Sequence, residues 1–226
     1  MLGHLYNLLY PNLCVACNMQ PIPPSRSWCS SCSYKLTPTD FHLLEDNPAL
    51  QRFWGRINLA HVATLWVFHK AGLAQKLVHQ LKYKNRPDIG VEIGKYYGGL
   101  LLDSPFYQNI DLIIPVPLHR KKEFQRGYNQ AAMFAEGLSL ILKKPWSSTA
   151  FIRTINSTTQ TQKSRLDRFE NVKSAFEVKS PEVLKNKHIL LVDDVLTTGA
   201  TLEACALQLL AVEGCKISIV CIALSS

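Results

Sequence analysis

The chain has 226 residues, of which 47% are hydrophobic and 19% are charged, and its formal net charge at pH 7 is +8. This length allows one α/β domain with a small accessory module, and the composition excludes a mainly disordered chain. The positive charge favours a polyanionic partner, either nucleic acid or a small phosphorylated ligand, and charge alone does not choose between them.

The opening segment, residues 1–13, is mildly apolar but has neither a basic start nor a small-residue cleavage site. We expect it to pack on the body as an amphipathic segment and not to direct export, which predicts a cytoplasmic protein. No run in the chain approaches the roughly 18–20 consecutive apolar residues of a membrane helix, so membrane insertion is not expected.

Four cysteines near the start of the chain follow the pattern C-x2-C-x11-C-x2-C, namely Cys14, Cys17, Cys29 and Cys32. In a reducing compartment, paired C-x2-C units are typical of metal ligands, and four thiolates complete a tetrahedral shell around Zn²⁺. A closed shell leaves no position for substrate, so we predict a small structural zinc ribbon. Redox-active or vestigial cysteines are the alternatives.

Beyond a polar, acidic link at residues 40–47, short apolar runs alternate with segments of helical spacing. Strands are predicted at residues 59–68, 111–118, 188–194 and 216–224. Helices are predicted at residues 71–83, 128–142 and 200–212. This alternation predicts an α/β fold with a doubly wound, mostly parallel sheet. We place the domain boundary after residue 56, with the cysteine module in residues 1–56 and the α/β domain in residues 57–226.

Most of the positive charge falls between residues 119 and 173, where eleven Lys and Arg stand against four Asp and Glu, a net of +7. This stretch opens with a predicted basic loop that follows a strand and prolines and precedes a helix. Such a loop can present backbone amides and cations to an anionic ligand. The candidate contacts are His119, Arg120, Arg126 and Asn129, whereas Lys121 and Lys122 are expected to be solvated.

The sequence ILLVDDVLTTGATL, residues 189–202, places two adjacent carboxylates between a buried strand and a Thr/Gly turn that leads into a helix. Ligands of open α/β sheets bind where strands end, and the amides and hydroxyls of such a turn form an anion site. Gly199 allows the backbone to approach the ligand. Asp193 and Asp194 suit the hydroxyls of a sugar or a hydrated Mg²⁺, so the motif indicates a ribose 5-phosphate.

This run resembles the phosphoribosyl-pyrophosphate signature of type I phosphoribosyltransferases, an apolar strand, two acidic residues and a Thr-Thr-Gly-x-Thr loop. With Pro-Val-Pro at 115–117, Arg-Gly-Tyr-Asn-Gln at 126–130 and the four-cysteine start, the resemblance narrows to the ComF family over nearly the whole chain. It implies the type I phosphoribosyltransferase fold and the binding of phosphoribosyl pyrophosphate with Mg²⁺.

The resemblance also implies roles for individual residues. Asp193 and Asp194 would hold the ribose 2′- and 3′-hydroxyls, while Arg120 and Arg126 would stabilise the pyrophosphate leaving group. Lys82, at the end of a predicted helix, and His119 would face the ligand, although a solvated helix end is the alternative for Lys82. The ligand-binding loop would comprise Val195, Leu196, Thr197, Thr198, Gly199, Ala200 and Thr201.

In phosphoribosyltransferases the segment before the signature strand is a mobile lid, and residues 153–176 occupy that place here. The match lies in Thr159, Gln160, Arg168, Asn171 and Phe176. One departure is Lys163, which stands where many relatives have an apolar residue. A surface loop without a catalytic part is the alternative interpretation.

Two functions follow from the resemblance. The first is transfer of the phosphoribosyl group to an acceptor that the sequence does not identify, and no general base is predicted. The second is a non-catalytic protein that binds single-stranded DNA for the competence machinery during DNA uptake, with the basic stretch 119–173 following the phosphates. The sequence makes no prediction about oligomeric state.

Overall fold

A computed structural model describes residues 11–154 and 175–225. Its strands are β1 (His61–Val67), β2 (Leu112–Pro115), β3 (Phe151–Arg153), β4 (Phe176–Val178), β5 (His188–Leu196) and β6 (Lys216–Leu224). The central sheet has the order β1-β6-β5-β2 with every neighbouring pair parallel, and β3 pairs antiparallel with β4 in a small second sheet. The predicted, mostly parallel sheet is confirmed.

Eight α-helices lie in the described part of the chain: α1 (Ser30–Lys35), α2 (Pro48–Gln51), α3 (Leu73–Tyr83), α4 (Pro87–Leu102), α5 (Arg120–Arg126), α6 (Gln130–Leu142), α7 (Pro181–Leu184) and α8 (Ala200–Leu210). The helices predicted from periodicity correspond to α3, α6 and α8. Helix α4 was not predicted, and the predicted basic loop is wrong because α5 occupies it. None of the helices in the described ranges is long and apolar enough to cross a membrane.

The central sheet is covered on both faces, as the doubly wound prediction requires. On β5, Leu190 and Val192 belong to the core cluster formed with α3, α4 and α6. The alternate residues Ile189 and Leu191 belong to a second cluster that includes Leu209 of α8. Because successive strand residues point to opposite faces, one strand joins both halves of the core.

Helices α4 and α6 approach closely at two glycines, one from each helix. A Cβ added to Gly137 would lie 2.2 Å from the carbonyl oxygen of Val91, and one added to Gly94 would lie 2.4 Å from that of Phe134. These are contacts with backbone atoms, which cannot rotate away as a flexible side chain can. The close approach packs α6 against α4 and so fixes the start of α6 beside the carboxyl end of β2.

Replacing Gly137 with alanine is therefore expected to lower the free energy of unfolding by about 2–3 kcal/mol, the cost of overpacking a rigid contact. Chemical denaturation measures this change. Gly99→Ala in α4 is the matched control, because nothing lies within 4 Å of a Cβ added there. It is expected to stabilise the protein by about 0.5–1 kcal/mol through helix propensity. Equal effects of the two substitutions would contradict the close contact.

The cysteine module packs directly on the α/β body. Val15 and Trp28 belong to the same core cluster as Ile89 of α4. The Ser27 N–H donates to Glu92 Oε2 at 2.6 Å. The module and the body therefore share apolar core, and the proposed boundary after residue 56 stays a prediction.

The predicted polar link contains ordered structure. A 3₁₀ helix spans Phe41–Leu43, and the buried Asn47 begins α2 by accepting a hydrogen bond from the Ala49 N–H at 3.0 Å. The Asn47 amide also donates to the carbonyl oxygen of Val62 in β1 at 2.9 Å. These contacts attach residues 40–51 to the edge of the sheet.

Two predictions fall largely outside the described residues. The first concerns the opening segment 1–13, of which only residues 11–13 are described. The second concerns the lid, whose positions Thr159, Gln160, Lys163, Arg168 and Asn171 all lie outside the described residues.

Candidate functional site

Asp193 and Asp194, the acidic pair, lie near the carboxyl end of β5, in the middle of the sheet. Asp194 Oδ1 forms an ion pair with Lys82 Nζ at 2.9 Å, and both side chains are mostly buried. Lys82 comes from the last turn of α3, so helix and strand are joined at this edge of the sheet. The structure thus brings together two residues that the sequence analysis proposed separately.

The environment of Asp193 changes its protonation. Burial and, next, the charge of Asp194 raise the pKa of Asp193 to about 8, and the hydrogen bond that the Asp194 N–H donates to Asp193 Oδ1 at 2.8 Å opposes this shift. At neutral pH Asp193 therefore holds its proton, while Asp194 lies beside Lys82. Such a pair can both donate to and accept from neighbouring hydroxyl groups.

The raised pKa of Asp193 predicts a pH-dependent stability. Because the folded-state pKa lies above the ordinary value of 3.8, proton binding favours the folded state. Stability is expected to fall as the pH rises from about 4 to about 8, where the unfolded chain loses this proton before the folded chain does.

The variant Asp193→Asn does not titrate, so its stability relative to the unmodified protein should increase across this window and level off above about pH 8. Urea denaturation of both proteins at matched pH values measures the difference between their free energies of unfolding. Both proteins contain the same cysteines, so the contribution of cysteine titration cancels from this difference. A difference in unfolding free energy that is the same at every pH would contradict the assignment.

The loop at residues 197–201 joins β5 to α8 and is largely exposed, with Gly199 at φ +79°. The carbonyl oxygens of Thr197 and Thr198 accept hydrogen bonds from Arg52 Nη1 at 2.6 Å and Arg56 Nη1 at 3.0 Å. In a planar trans peptide the C=O and N–H point in opposite directions, so the N–H groups of Thr198 and Gly199 point away from these arginines.

Within residues 11–154 and 175–225, neither of those two N–H groups donates to a backbone acceptor. Two adjacent amide donors beside the start of a helix form a concave site that favours an anion. The geometry of the loop therefore meets the requirement for a phosphate site.

A basic cavity of about 290 Å³ lies on the other side of Lys82. Its walls are formed by Lys82, Tyr83, Asn85, Lys122, Gln125 and Arg126. The Arg126 guanidinium lies 5.5 Å from the centroid of the Tyr83 ring and donates to Gln130 Oε1 at 2.5 Å. Three cations around one cavity favour a second anionic group, and Lys82 connects this cavity to the acidic pair.

The remaining candidates near α5 have different positions. Arg120 is exposed at the start of α5, and His119 caps that helix by accepting a hydrogen bond from the Lys121 N–H at 3.2 Å. Neither residue lines the cavity. Lys122 lines it and is also exposed, which agrees with the expectation that it is solvated. Asn129 caps α6, and its amide donates to the carbonyl oxygen of Val116 at 3.0 Å.

The four predicted cysteine ligands form one cluster. The Sγ atoms of Cys14, Cys17, Cys29 and Cys32 all lie within 4.8 Å of one another. Backbone N–H groups point at the sulfurs. The Cys29 N–H contacts Cys14 Sγ at 3.3 Å, and the N–H groups of Met19 and Gln20 lower the pKa of Cys17 to about 6. Four convergent sulfurs with amide donors fit a tetrahedral metal ion.

Sequence analysis missed the residues that support the loop from behind, Arg52, Phe53, Arg56 and Glu203. No motif marks them, because the arginines lie more than 140 positions from the carbonyls that they contact.

Comparison with known proteins defines the class of this domain. A family model described as phosphoribosyl transferase domain matches residues 129–225, which include the acidic pair and the loop 197–201. The chain therefore contains a phosphoribosyltransferase-like domain. A solved structure of glutamine phosphoribosylpyrophosphate amidotransferase from B. subtilis matches with a TM-score of 0.43 and 18% identity, covering 62% of this chain and 30% of that one.

Curated relatives match the chain at higher identity. The DNA utilization protein YhgH of Escherichia coli O157:H7 is 34% identical over 152 residues, or 65% of this chain and 65% of that protein. Competence protein F of Haemophilus influenzae is 37% identical over 131 residues, or 56% of this chain and 57% of that protein. The matches thus span 65% and 57% of these two relatives, less than two thirds of either. The chain is therefore similar to DNA utilization and competence proteins, and residues 129–225 resemble a phosphoribosyl transferase domain.

Proposed function

We propose that this protein binds phosphoribosyl pyrophosphate with Mg²⁺ at the carboxyl edge of the sheet and transfers its phosphoribosyl group to an acceptor. The observation that supports this most strongly is the pair of outward-pointing amides at Thr198 and Gly199 beside the acidic pair. A phosphate site next to hydroxyl-binding carboxyl groups matches the two ends of a ribose 5-phosphate.

The 5′-phosphate occupies the loop 197–201, where it accepts hydrogen bonds from the amides and from the exposed threonine hydroxyls. The ribose 2′- and 3′-hydroxyls lie against Asp193 and Asp194. Since Asp194 is already paired with Lys82 at 2.9 Å, its carboxylate is fixed in position before the sugar binds. A fixed acceptor reduces the entropy that must be lost on binding.

The pyrophosphate occupies the basic cavity, where Lys82, Lys122 and Arg126 lie around it. In the transfer, the bond from the anomeric carbon to a pyrophosphate oxygen breaks and its electron pair leaves with the pyrophosphate. A nucleophilic atom of the acceptor bonds to that carbon and loses its proton. The cations stabilise the charge that develops on the leaving group. The family resemblance extends this role to Arg120, which is exposed at the start of α5. Bound Mg²⁺ supplies further neutralisation of the pyrophosphate.

The four cysteines hold a structural Zn²⁺ in this proposal. Their all-sulfur set suits zinc, and a filled shell has no open position for substrate.

Calorimetric titration tests the binding step. We expect heat on adding phosphoribosyl pyrophosphate in the presence of Mg²⁺, much weaker binding when Mg²⁺ is omitted, and no heat with ribose, which lacks both phosphate groups. Omitting the ion, as opposed to chelating it, leaves the cysteine site intact. Absence of heat with the complete ligand would overturn the proposal.

A second candidate function is supported by exposed aromatic rings beside the basic cavity. Tyr83 lines the cavity and is 62% exposed, with the Arg126 guanidinium 5.5 Å from its ring centroid, and Phe124 of α5 is 91% exposed. Aromatic rings among cations form a stacking surface for single-stranded nucleic acid. The names of the relatives, a DNA utilization protein and a competence protein, favour a role in DNA uptake.

Fluorescence anisotropy with a labelled single strand tests this second function. Affinity is expected to fall steeply with salt, because phosphate contacts release counterions. If both ligands share the basic cavity, phosphoribosyl pyrophosphate with Mg²⁺ displaces the strand. Salt-insensitive binding, or no binding, would exclude this function without affecting the first.

A further inference from the structure

A short segment between α2 and β1 lies behind the loop 197–201. It contains Arg52, Phe53 and Arg56, which follow α2 by one to five positions. Arg52 spans two segments of chain, since Nη1 donates to the carbonyl oxygen of Thr197 at 2.6 Å and Nη2 donates to that of Ser225 at 2.8 Å. This guanidinium therefore joins the loop to the end of β6.

Arg56 holds the next peptide of the loop and the helix behind it. Its Nη1 donates to the carbonyl oxygen of Thr198 at 3.0 Å, and its Nη2 forms an ion pair with Glu203, a buried residue in the first turn of α8. The Glu203 N–H in turn donates to the carbonyl oxygen of Gly199 at 2.8 Å. Three successive carbonyls of the loop thus accept hydrogen bonds.

Phe53 fills the space beneath Gly199. The ring is almost fully buried, and a Cβ added to Gly199 would lie 2.9 Å from its Cε1 atom. The loop therefore rests on an aromatic surface and cannot move towards the arginines. Its remaining freedom is towards the open side, where the amides point.

Two physical effects follow from these contacts. Fixing the carbonyls fixes the orientation of the amides in the same peptide planes before any anion arrives. A guanidinium that donates to a carbonyl also polarises that peptide and strengthens its N–H as a donor. In the described part of the chain no carboxylate forms an ion pair with Arg52, so its positive charge adds to the field of the anion site.

We infer that Arg52 and Arg56 are positioning residues for the 5′-phosphate, acting through the carbonyls of the loop 197–201 and without touching the ligand. This inference rests on the proposed function. It gives residues 52–56, at the end of the predicted N-terminal module, an indirect part in ligand binding.

The test compares two ligands on the variant Arg52→Gln. Phosphoribosyl pyrophosphate has a 5′-phosphate and pyrophosphate does not, so a positioning role predicts a selective loss. With Mg²⁺ present, the Kd for phosphoribosyl pyrophosphate should rise about tenfold or more, whereas the Kd for pyrophosphate should stay within about twofold. Arg52→Lys retains the charge and one of the two hydrogen bonds, and should recover part of the affinity.

Lys185→Gln is the matched control, since it removes one cation paired with Glu213 far from the loop, at the amino ends of the strands. It should leave both affinities unchanged. If Arg52→Gln lowers both affinities equally, the effect is a general loss of structure and the inference fails. Equal binding of phosphoribosyl pyrophosphate by Arg52→Gln and the unmodified protein also overturns it, whereas failure of the unmodified protein to bind overturns the proposed function itself.

Discussion

Replacing Asp194 with asparagine is expected to weaken the binding of phosphoribosyl pyrophosphate with Mg²⁺ by about 100-fold or more. The Asp194 carboxylate forms an ion pair with Lys82 Nζ at 2.9 Å. Its loss removes charge-assisted hydrogen bonds to the diol, each contributing about 1.5–3 kcal/mol, and leaves Lys82 without its partner. Calorimetric titration measures the change in Kd.

Asp103→Asn is the control for this substitution. Asp103 is an exposed aspartate after the end of α4, where no ligand group is proposed. Its variant should bind within about twofold of the unmodified protein, since an exposed carboxylate remote from a ligand contributes little. If Asp194→Asn binds the ligand as tightly as the unmodified protein does, the acidic pair does not bind the diol, and the ligand must bind elsewhere.

Replacing Cys32 with serine is expected to produce the largest loss of stability. The residue is one of four convergent thiols, and its loss would open the shell around the proposed metal ion. The free energy of unfolding should fall by about 4 kcal/mol or more, because metal binding supplies most of the folding energy of so small a module. Since Val15 and Trp28 share apolar core with Ile89, the effect should extend to α4.

Chemical denaturation and the measured zinc content of the purified protein test this expectation together. Cys215→Ser is the matched control, because this half-buried thiol donates to the carbonyl oxygen of Leu184 at 2.9 Å, a bond that a serine hydroxyl retains. It should keep its zinc and lose less than about 1 kcal/mol. A Cys32→Ser variant as stable as Cys215→Ser would show that the cluster holds no structural metal.

The elements around β5 could be predicted from sequence because their signals are local. An apolar run marks β5, and its end and the start of α8 are marked by the acidic pair and the Thr/Gly turn. Asn129 likewise marks the start of α6 as a helix cap. The spacing of the cysteines was sufficient to predict their cluster.

Other elements depend on contacts that the local pattern conceals. Helix α4 contains Gly90, Gly94, Gly98 and Gly99, which lower its intrinsic propensity, and packing against α6 compensates for them. Helix α5 consists mainly of charged residues and so lacks the apolar spacing from which the other helices were predicted. Its residues are nevertheless good helix formers, and Gly127 ends it in the left-handed region. The contacts of Arg52 and Arg56 with the loop join distant parts of the chain, and no periodicity predicts such pairs.

Amide NMR spectra of the ¹⁵N-labelled protein, recorded while phosphoribosyl pyrophosphate is added with Mg²⁺, test the central claim most directly. We predict that the largest amide proton shifts occur at Thr198 and Gly199, whose N–H groups would donate to the terminal phosphate. Binding that leaves both of these resonances unmoved would show that the phosphate lies elsewhere and would contradict the assignment of the site.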